Sequence, residues 1–198
     1  MTDPGLPPGL TTRPVGPEEL SELASLFDSE RNTRRCWCMA FCETRAQFGV
    51  GWVTGANRRR FEALAAAGPV PMGILASRDG VPVGWGACGP RARYVAATSS
   101  RNMTMRSRAT TVWLVPCLFV RAGHRGQGVT HALLRSAVAL ARREEADAIE
   151  GWPLAASEQR PGDAFLGRQQ VFADVGFQTV DRPSPDRVIM RLELGSAG

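Results

Sequence analysis

Hydrophobic positions in this chain fall into two periods. Between residues 112 and 150 both occur in sequence, and the rest of the chain is organised around that stretch. Residues 112–120 are apolar and partly β-branched, as in a buried strand. A polar turn with glycines follows at 121–128. From about residue 127 to 146, Leu133, Leu134, Ala137, Val138, Leu140 and Ala141 recur at helical spacing, while Arg135, Arg142 and Arg143 fall on the opposite face. A second apolar run, 148–154, closes the unit. Strand, glycine turn, helix, strand predicts a βαβ unit with two parallel strands.

The same reading predicts the other elements. A short strand at 11–15 precedes a helix that starts near Pro17 and carries Leu20, Leu23, Ala24 and Phe27 on one face. Residues 31–48 show no period. Asn57 stands where it could cap a helix over 58–67. Runs at 71–77 and 81–88 form a hairpin across Arg78-Asp79-Gly80. In its second strand, Gly84, Gly86 and Gly89 allow something to approach the backbone closely. Residues 91–110 form a long loop with five arginines and no acid, which reads as a basic lid over an anionic acceptor or as a solvated loop. A helix at 164–175 ends at Gly176, and strands at 177–180 and 187–194 complete the chain.

The turn after residue 120 carries candidate chemistry. A helix that begins near Gly128 leaves its first N–H groups unpaired, and the helix dipole adds positive charge there. Gly126 and Gly128 let the backbone come close to a bulky anion, and Arg125 adds a charge-assisted contact. These features suit a diphosphate. A Walker loop is excluded, because no Gly-Lys-Ser/Thr ending follows. A dinucleotide fingerprint would need a third glycine where His131 stands. Its acidic residue about 20 positions on is matched by Glu150, so that reading stays open as an alternative.

Arg125-Gly126-Gln127-Gly128-Val129-Thr130 resembles the acetyl-CoA loop of the GNAT (GCN5-related N-acetyltransferase) superfamily, Arg/Gln-x-x-Gly-x-Gly/Ala, with Thr130 in place of the last small residue. Leu118-Phe119-Val120 resembles the end of that family's fourth strand, and Phe172 to Gly176-Phe177 its later helix-to-strand signature. The resemblance implies an α/β fold with a mixed sheet of about seven strands flanked by about four helices. It spans one domain at 11–194, between a flexible tail at 1–10 and a short tail at 195–198. It also implies an acetyltransferase that uses acetyl-CoA as co-substrate and passes the acetyl group directly to a primary amine in a ternary complex. Leu118, Phe119, Val120, Arg125, Gly126, Gln127, Gly128, Val129 and Thr130 would hold the coenzyme. The segment with Trp37, Met39 and Phe41 would line the acceptor side, with Tyr94 nearby; core packing of the same side chains is the alternative.

Catalytic groups are less plainly marked. The family's usual proton donor is a tyrosine at the position of Phe172, which cannot donate, and Phe165 stands where an asparagine is frequent. Backbone N–H groups near Cys117, Leu118 and Phe119 would stabilise the developing oxyanion if the strand bulges beside Pro116. Glu150 is the candidate base, acting through water, against a reading as a glutamate that is exposed or paired with arginine. Cys117 is the candidate acyl-carrying nucleophile, against a buried free thiol. His124 lies where it would touch phosphate, and His131 where it would pack on the helix. A non-catalytic acyl-CoA sensor is the competing class, motivated by Phe172.

Composition narrows the setting. The chain has 198 residues, 43% of them hydrophobic, and a net charge of +5 with arginine as its only basic residue besides histidine. The opening ten residues hold three prolines, two glycines and no basic residue, unlike a secretory leader. No apolar run is long enough to span a membrane. A cytoplasmic protein without a membrane role is therefore expected. Five cysteines, an odd number, suit free thiols, and Cys36, Cys38 and Cys42 do not match zinc spacing, so no metal is expected. The positive charge suits coenzyme phosphates or an acidic substrate; no nucleic-acid motif accompanies it. A small-molecule amine and a peptide amine both remain as acceptors, and a homodimer is among the assemblies left open.

Overall fold

The computed structural model describes residues 5–98, 111–155 and 165–195. Seven strands form one mixed sheet in the order β1-β2-β3-β4-β5-β7-β6. They are β1 (Leu10–Pro14), β2 (Gly73–Arg78), β3 (Val81–Pro90), β4 (Val112–Val120), β5 (Ala148–Gly151), β6 (Gln178–Ser184) and β7 (Arg187–Glu193). Only β4 and β5 run parallel, as the βαβ reading requires; every other pair is antiparallel. Asp79 and Gly80, both at positive φ, make the tight turn between β2 and β3.

The helices in chain order are α1 (Leu20–Phe27), α2 (Arg31–Cys36), α3 (Met39–Cys42), α4 (Arg45–Thr54), α5 (Ala56–Ala67), α6 (Val95–Thr98), α7 (Val129–Arg143) and α8 (Gln169–Asp174). Helix α7 buries Leu133, Leu134, Ala137, Val138, Leu140 and Ala141 against one face of the sheet. Each large side chain so buried contributes roughly 1.5–3 kcal/mol. The glycines of β3 explain how closely it packs. A Cβ on Gly84 would lie 2.6 Å from Val129, and one on Gly86 would press on Leu118 and Leu133. A Cβ on Gly89 would instead meet the Arg93 guanidinium at 2.4 Å.

On the other face, Phe27, Trp37, Phe61 and Trp85 meet edge to face in a second core. The stretch at 31–48, aperiodic in sequence, folds as two short helices, α2 and α3, and the start of a third, α4. Trp37 and Cys38 take the left-handed conformation between α2 and α3. This break explains why no single period runs through the segment.

Three expectations are corrected. Asn57 is no cap: it lies inside α5, fully buried, and its Nδ2 donates to the Arg35 carbonyl at 2.8 Å. Residues 5–9 are docked, not loose. Arg135 binds the Gly5 carbonyl, Arg78 binds the Pro8 carbonyl, and Leu6 packs on the α7 core. The helix expected from 164 begins only at Gln169, with residues 165–168 outside it. Residues 99–110 of the basic loop, and 156–164 with the expected start of the last helix, lie outside the described residues.

Candidate functional site

The β4–β5 pair opens into a fork. Pairing runs from Val112 opposite Ala148 to Val115 opposite Gly151 and stops there. On the β3 side, Ala87 stands opposite Cys117 but Gly89 opposite Leu114, so β4 carries an extra residue at Val115–Pro116. This is the bulge that Pro116, lacking an N–H, suggested. Val115 and Leu118 consequently face the α7 core together, while Cys117 and Phe119 face the opposite one.

Beyond the bulge, the Leu118 N–H points into the fork, where it donates to the Phe165 carbonyl at 2.6 Å. The donor anticipated for the oxyanion is thus taken by the chain itself. Residues 165–168 continue along the fork: Leu154 N–H donates to the Gly167 carbonyl, and Gln169 N–H to the Leu154 carbonyl. The Phe165 ring lies 6.1 Å from that of Phe119.

A cavity of about 680 Å³ runs from this fork to the start of α7. Leu118, Phe119, Val120, Arg125, Gly126, Gly128, Val129 and Thr130 line it. The structure therefore gathers eight of the nine coenzyme candidates around one space. Gln127 is not a lining residue; its Nε2 donates to the Gly123 carbonyl and braces the turn. Gly123, Gly126 and Gly128 all have positive φ, which curls the turn around the helix end. The first backbone bond at the head of α7 is Ala132 N–H to the Gly128 carbonyl, so the amides before Ala132 are directed to the turn.

Other walls come from distant parts of the chain: Glu30 and Asn32, Gly167 and Arg168, and Val171 of α8. Nothing in their local sequence marks them. Arg125 is held by the Val120 carbonyl at 3.1 Å and lies 3.7 Å from Glu30. His124 and His131 also reach the cavity, but His131 Nε2 is bonded to Asp174 at 3.0 Å, tying α7 to α8.

The acceptor-side candidates separate. Trp37 and Met39, each 1% exposed, are core residues locked among Phe27, Phe61 and Trp85, so they form no wall of the cavity. Phe41 differs: it is half-buried and packs on a cluster of Tyr94, Val112, Leu114, Trp152 and Ile189 beside the fork. Arg93, in the described part of the basic loop, donates to the carbonyls of Val70, Pro71 and Cys88 and is structural. Burial pushes the Tyr94 phenol well above its usual pKa, which keeps it neutral.

Glu150 is 1% exposed, and its Oε1 accepts from Arg191 Nη1 at 2.7 Å. Desolvation raises its pKa above the usual carboxylate value, against the opposing pull of Arg191 and Arg91. Cys117 is buried beside Cys38, whose thiol is pushed well up, first by its hydrogen bond with Cys117 and then by burial. Phe172, where the resemblance puts a tyrosine, is fully buried against Gly151, Gly167 and Phe177. No group of three or more metal-ligating side chains occurs among the described residues. No helix among them is long and apolar enough to cross a membrane.

Residues 27–165, from α1 to the fork, match the acetyltransferase (GNAT) family model. The chain belongs to the GNAT family. Solved GNAT structures share the fold at low identity. An acetyltransferase of the family from Listeria monocytogenes is 14% identical, with a TM-score of 0.54 over 98% of this chain and 99% of that one. PaiA N-acetyltransferase from Thermoplasma acidophilum, solved with coenzyme A, is 11% identical, with a TM-score of 0.53 over 93% and 98%. An acetyltransferase from Thermus thermophilus is 17% identical, with a TM-score of 0.51 over 93% and 97%. No curated protein sequence matches the chain significantly. In this GNAT chain Phe172 stands where the resemblance puts a tyrosine, and Thr130 where it puts a small residue.

Proposed function

We propose that this protein transfers an acetyl group from acetyl-CoA to a primary amine, by direct attack within a ternary complex. One observation carries the reading: a single cavity joins the glycine turn at the head of α7 to the fork beside Leu118. The turn suits a diphosphate, through the α7 amides and Arg125. The fork suits a pantetheine arm, which ends where Leu118 N–H is aimed. PaiA acetyltransferase, solved with coenzyme A, supports this choice of ligand.

The amine nitrogen attacks the thioester carbonyl carbon, the C–S bond breaks, and coenzyme A leaves as the thiolate. Leu118 N–H supports the oxyanion once the Phe165 carbonyl has withdrawn. Glu150, on the strand that borders the fork, takes one proton of the ammonium group through water, and the second N–H proton passes to solvent as the C–S bond breaks. Cys117 is assigned no covalent step, since it is buried beside Cys38 in the second core and packs there. The buried Phe172 supplies no proton, so the thiolate leaves unaided or is protonated by solvent.

A second reading, a non-catalytic acyl-CoA sensor, is favoured by Phe172 and by the occupied Leu118 donor. Thiol release from acetyl-CoA with a panel of amino acids, polyamines, peptides and aminoglycosides separates the two. Amine-dependent release is expected. Tight coenzyme binding without turnover across the panel would favour the sensor.

A further inference from the structure

The face of the sheet beside the fork carries a second set of groups that the acetyl-CoA cavity does not use. Gly89, Leu114, Glu150 and Arg191 form one register row across β3, β4, β5 and β7. Around Leu114 in this row, Tyr94, Val112, Trp152 and Ile189 make a buried apolar cluster. Burying charge in such a setting is costly unless each polar atom is satisfied. Here several are not.

Glu150 Oε1 is taken by Arg191, but Oε2 is buried without a hydrogen-bond partner among the described residues. Arg191 cannot serve it as well, because its Nε and Nη2 are committed to the two oxygens of Glu193. Arg91, just past the end of β3, exerts its charge on Glu150, yet the ion pair of Glu150 is with Arg191. The Nε and Nη2 of Arg91 are both buried without a partner among the described residues. Those two atoms are one edge of the guanidinium, the edge that grips a carboxylate through two parallel hydrogen bonds. Arg191 uses the same edge on Glu193. Among the described residues, then, a carboxylate oxygen lacks a donor and a guanidinium edge lacks an acceptor, and Arg91 follows two positions after Gly89, which stands in the same register row as Glu150.

We propose that the acceptor is a small primary amine that also carries a carboxylate, with its ammonium group held through water by Glu150 Oε2 and its carboxylate on the Nε–Nη2 edge of Arg91. The inference rests on the transferase reading above and narrows its substrate class to amino-acid-like amines. Binding leaves no charge behind: the ammonium offsets the free share of Glu150, and the carboxylate offsets Arg91. Loss of the acid group would strand a buried guanidinium edge, which is how polar sites reject near neighbours of their substrate.

The test pairs each of the twenty common amino acids, β-alanine and 4-aminobutyrate with its carboxamide, and follows thiol release from acetyl-CoA. At least one free acid should exceed its carboxamide tenfold or more in kcat/KM. Arg91→Gln should raise KM for that acid at least tenfold and abolish the preference for acid over carboxamide, with the acetyl-CoA Kd unchanged within twofold. Equal use of acid and carboxamide, or an unmoved KM in Arg91→Gln, would overturn the proposal; the first comparison needs no variant. Turnover of polyamines or blocked peptides alone would overturn it and leave the transferase standing. No release with any amine would overturn both.

Discussion

Leu118 N–H donates to the Phe165 carbonyl at 2.6 Å, across the opening between β4 and β5. This contact satisfies a donor that would otherwise be buried unpaired. It also competes with any ligand that needs the same donor. Coenzyme affinity is then reduced by the fraction of molecules in which the contact is closed. Phe165 is further anchored by its ring against Phe119. An aromatic pair of this kind contributes about 0.5–1.5 kcal/mol. Phe165→Ala should therefore tighten acetyl-CoA roughly two- to tenfold by calorimetry, as the closed fraction falls. Weaker binding would mean that the ring is part of the coenzyme site instead.

Gly128 is the N-cap of α7 at φ 78°, and a Cβ there would approach Pro7 to 3.0 Å. Gly128→Glu adds a strained side chain and a negative charge where a diphosphate would sit against the positive end of the helix dipole. Acetyl-CoA affinity should fall at least about tenfold, given the charge and strain combined. Unchanged affinity would place the diphosphate elsewhere.

The Glu150–Arg191 pair is buried on both sides, with side chains 2% and 9% exposed. Arg191→Met would leave a buried carboxyl unpaired and should cost about 3–5 kcal/mol at neutral pH. The direction with pH follows from the raised pKa of Glu150. Its contribution to stability is complete below the carboxyl's unfolded value and is lost as pH rises through the higher folded one. Arg191→Met removes the main opposing charge, so the loss should deepen. Denaturant melts of Arg191→Met between pH 4 and 8 should fall more steeply than wild type, and a parallel pair of curves would contradict the assignment. Glu150→Gln should reduce turnover more than acetyl-CoA affinity; turnover held across pH would make Glu150 structural.

A Cβ on Gly151 would lie 2.3 Å from the Phe172 ring. That ring is fully buried and packs edge to face on Phe177. Gly151→Ala should thus cost about 1–3 kcal/mol through overpacking. Thermal denaturation tests this directly, and a neutral substitution would show that the fork relaxes easily.

Much of this protein could be read from local pattern. The period of α7, the Asp79-Gly80 turn and the parallel β4–β5 unit are set by neighbours in the chain, because helix and hairpin signals arise from residues only a few positions apart. The glycine turn was equally readable as a candidate anion site, since the groups such a site uses are backbone amides within one short stretch. Three matters needed the tertiary structure. Trp37 and Met39 became core instead of acceptor wall, because only packing decides which apolar side chains remain at a surface. Arg168, Glu30 and Phe165 joined the cavity from afar, with no local signal. Glu150 acquired its character from burial in the sheet, opposed by Arg191, 41 residues later in the chain. A carboxylate's burial and its opposing charge are properties of the assembled sheet, not of the residues on either side of it.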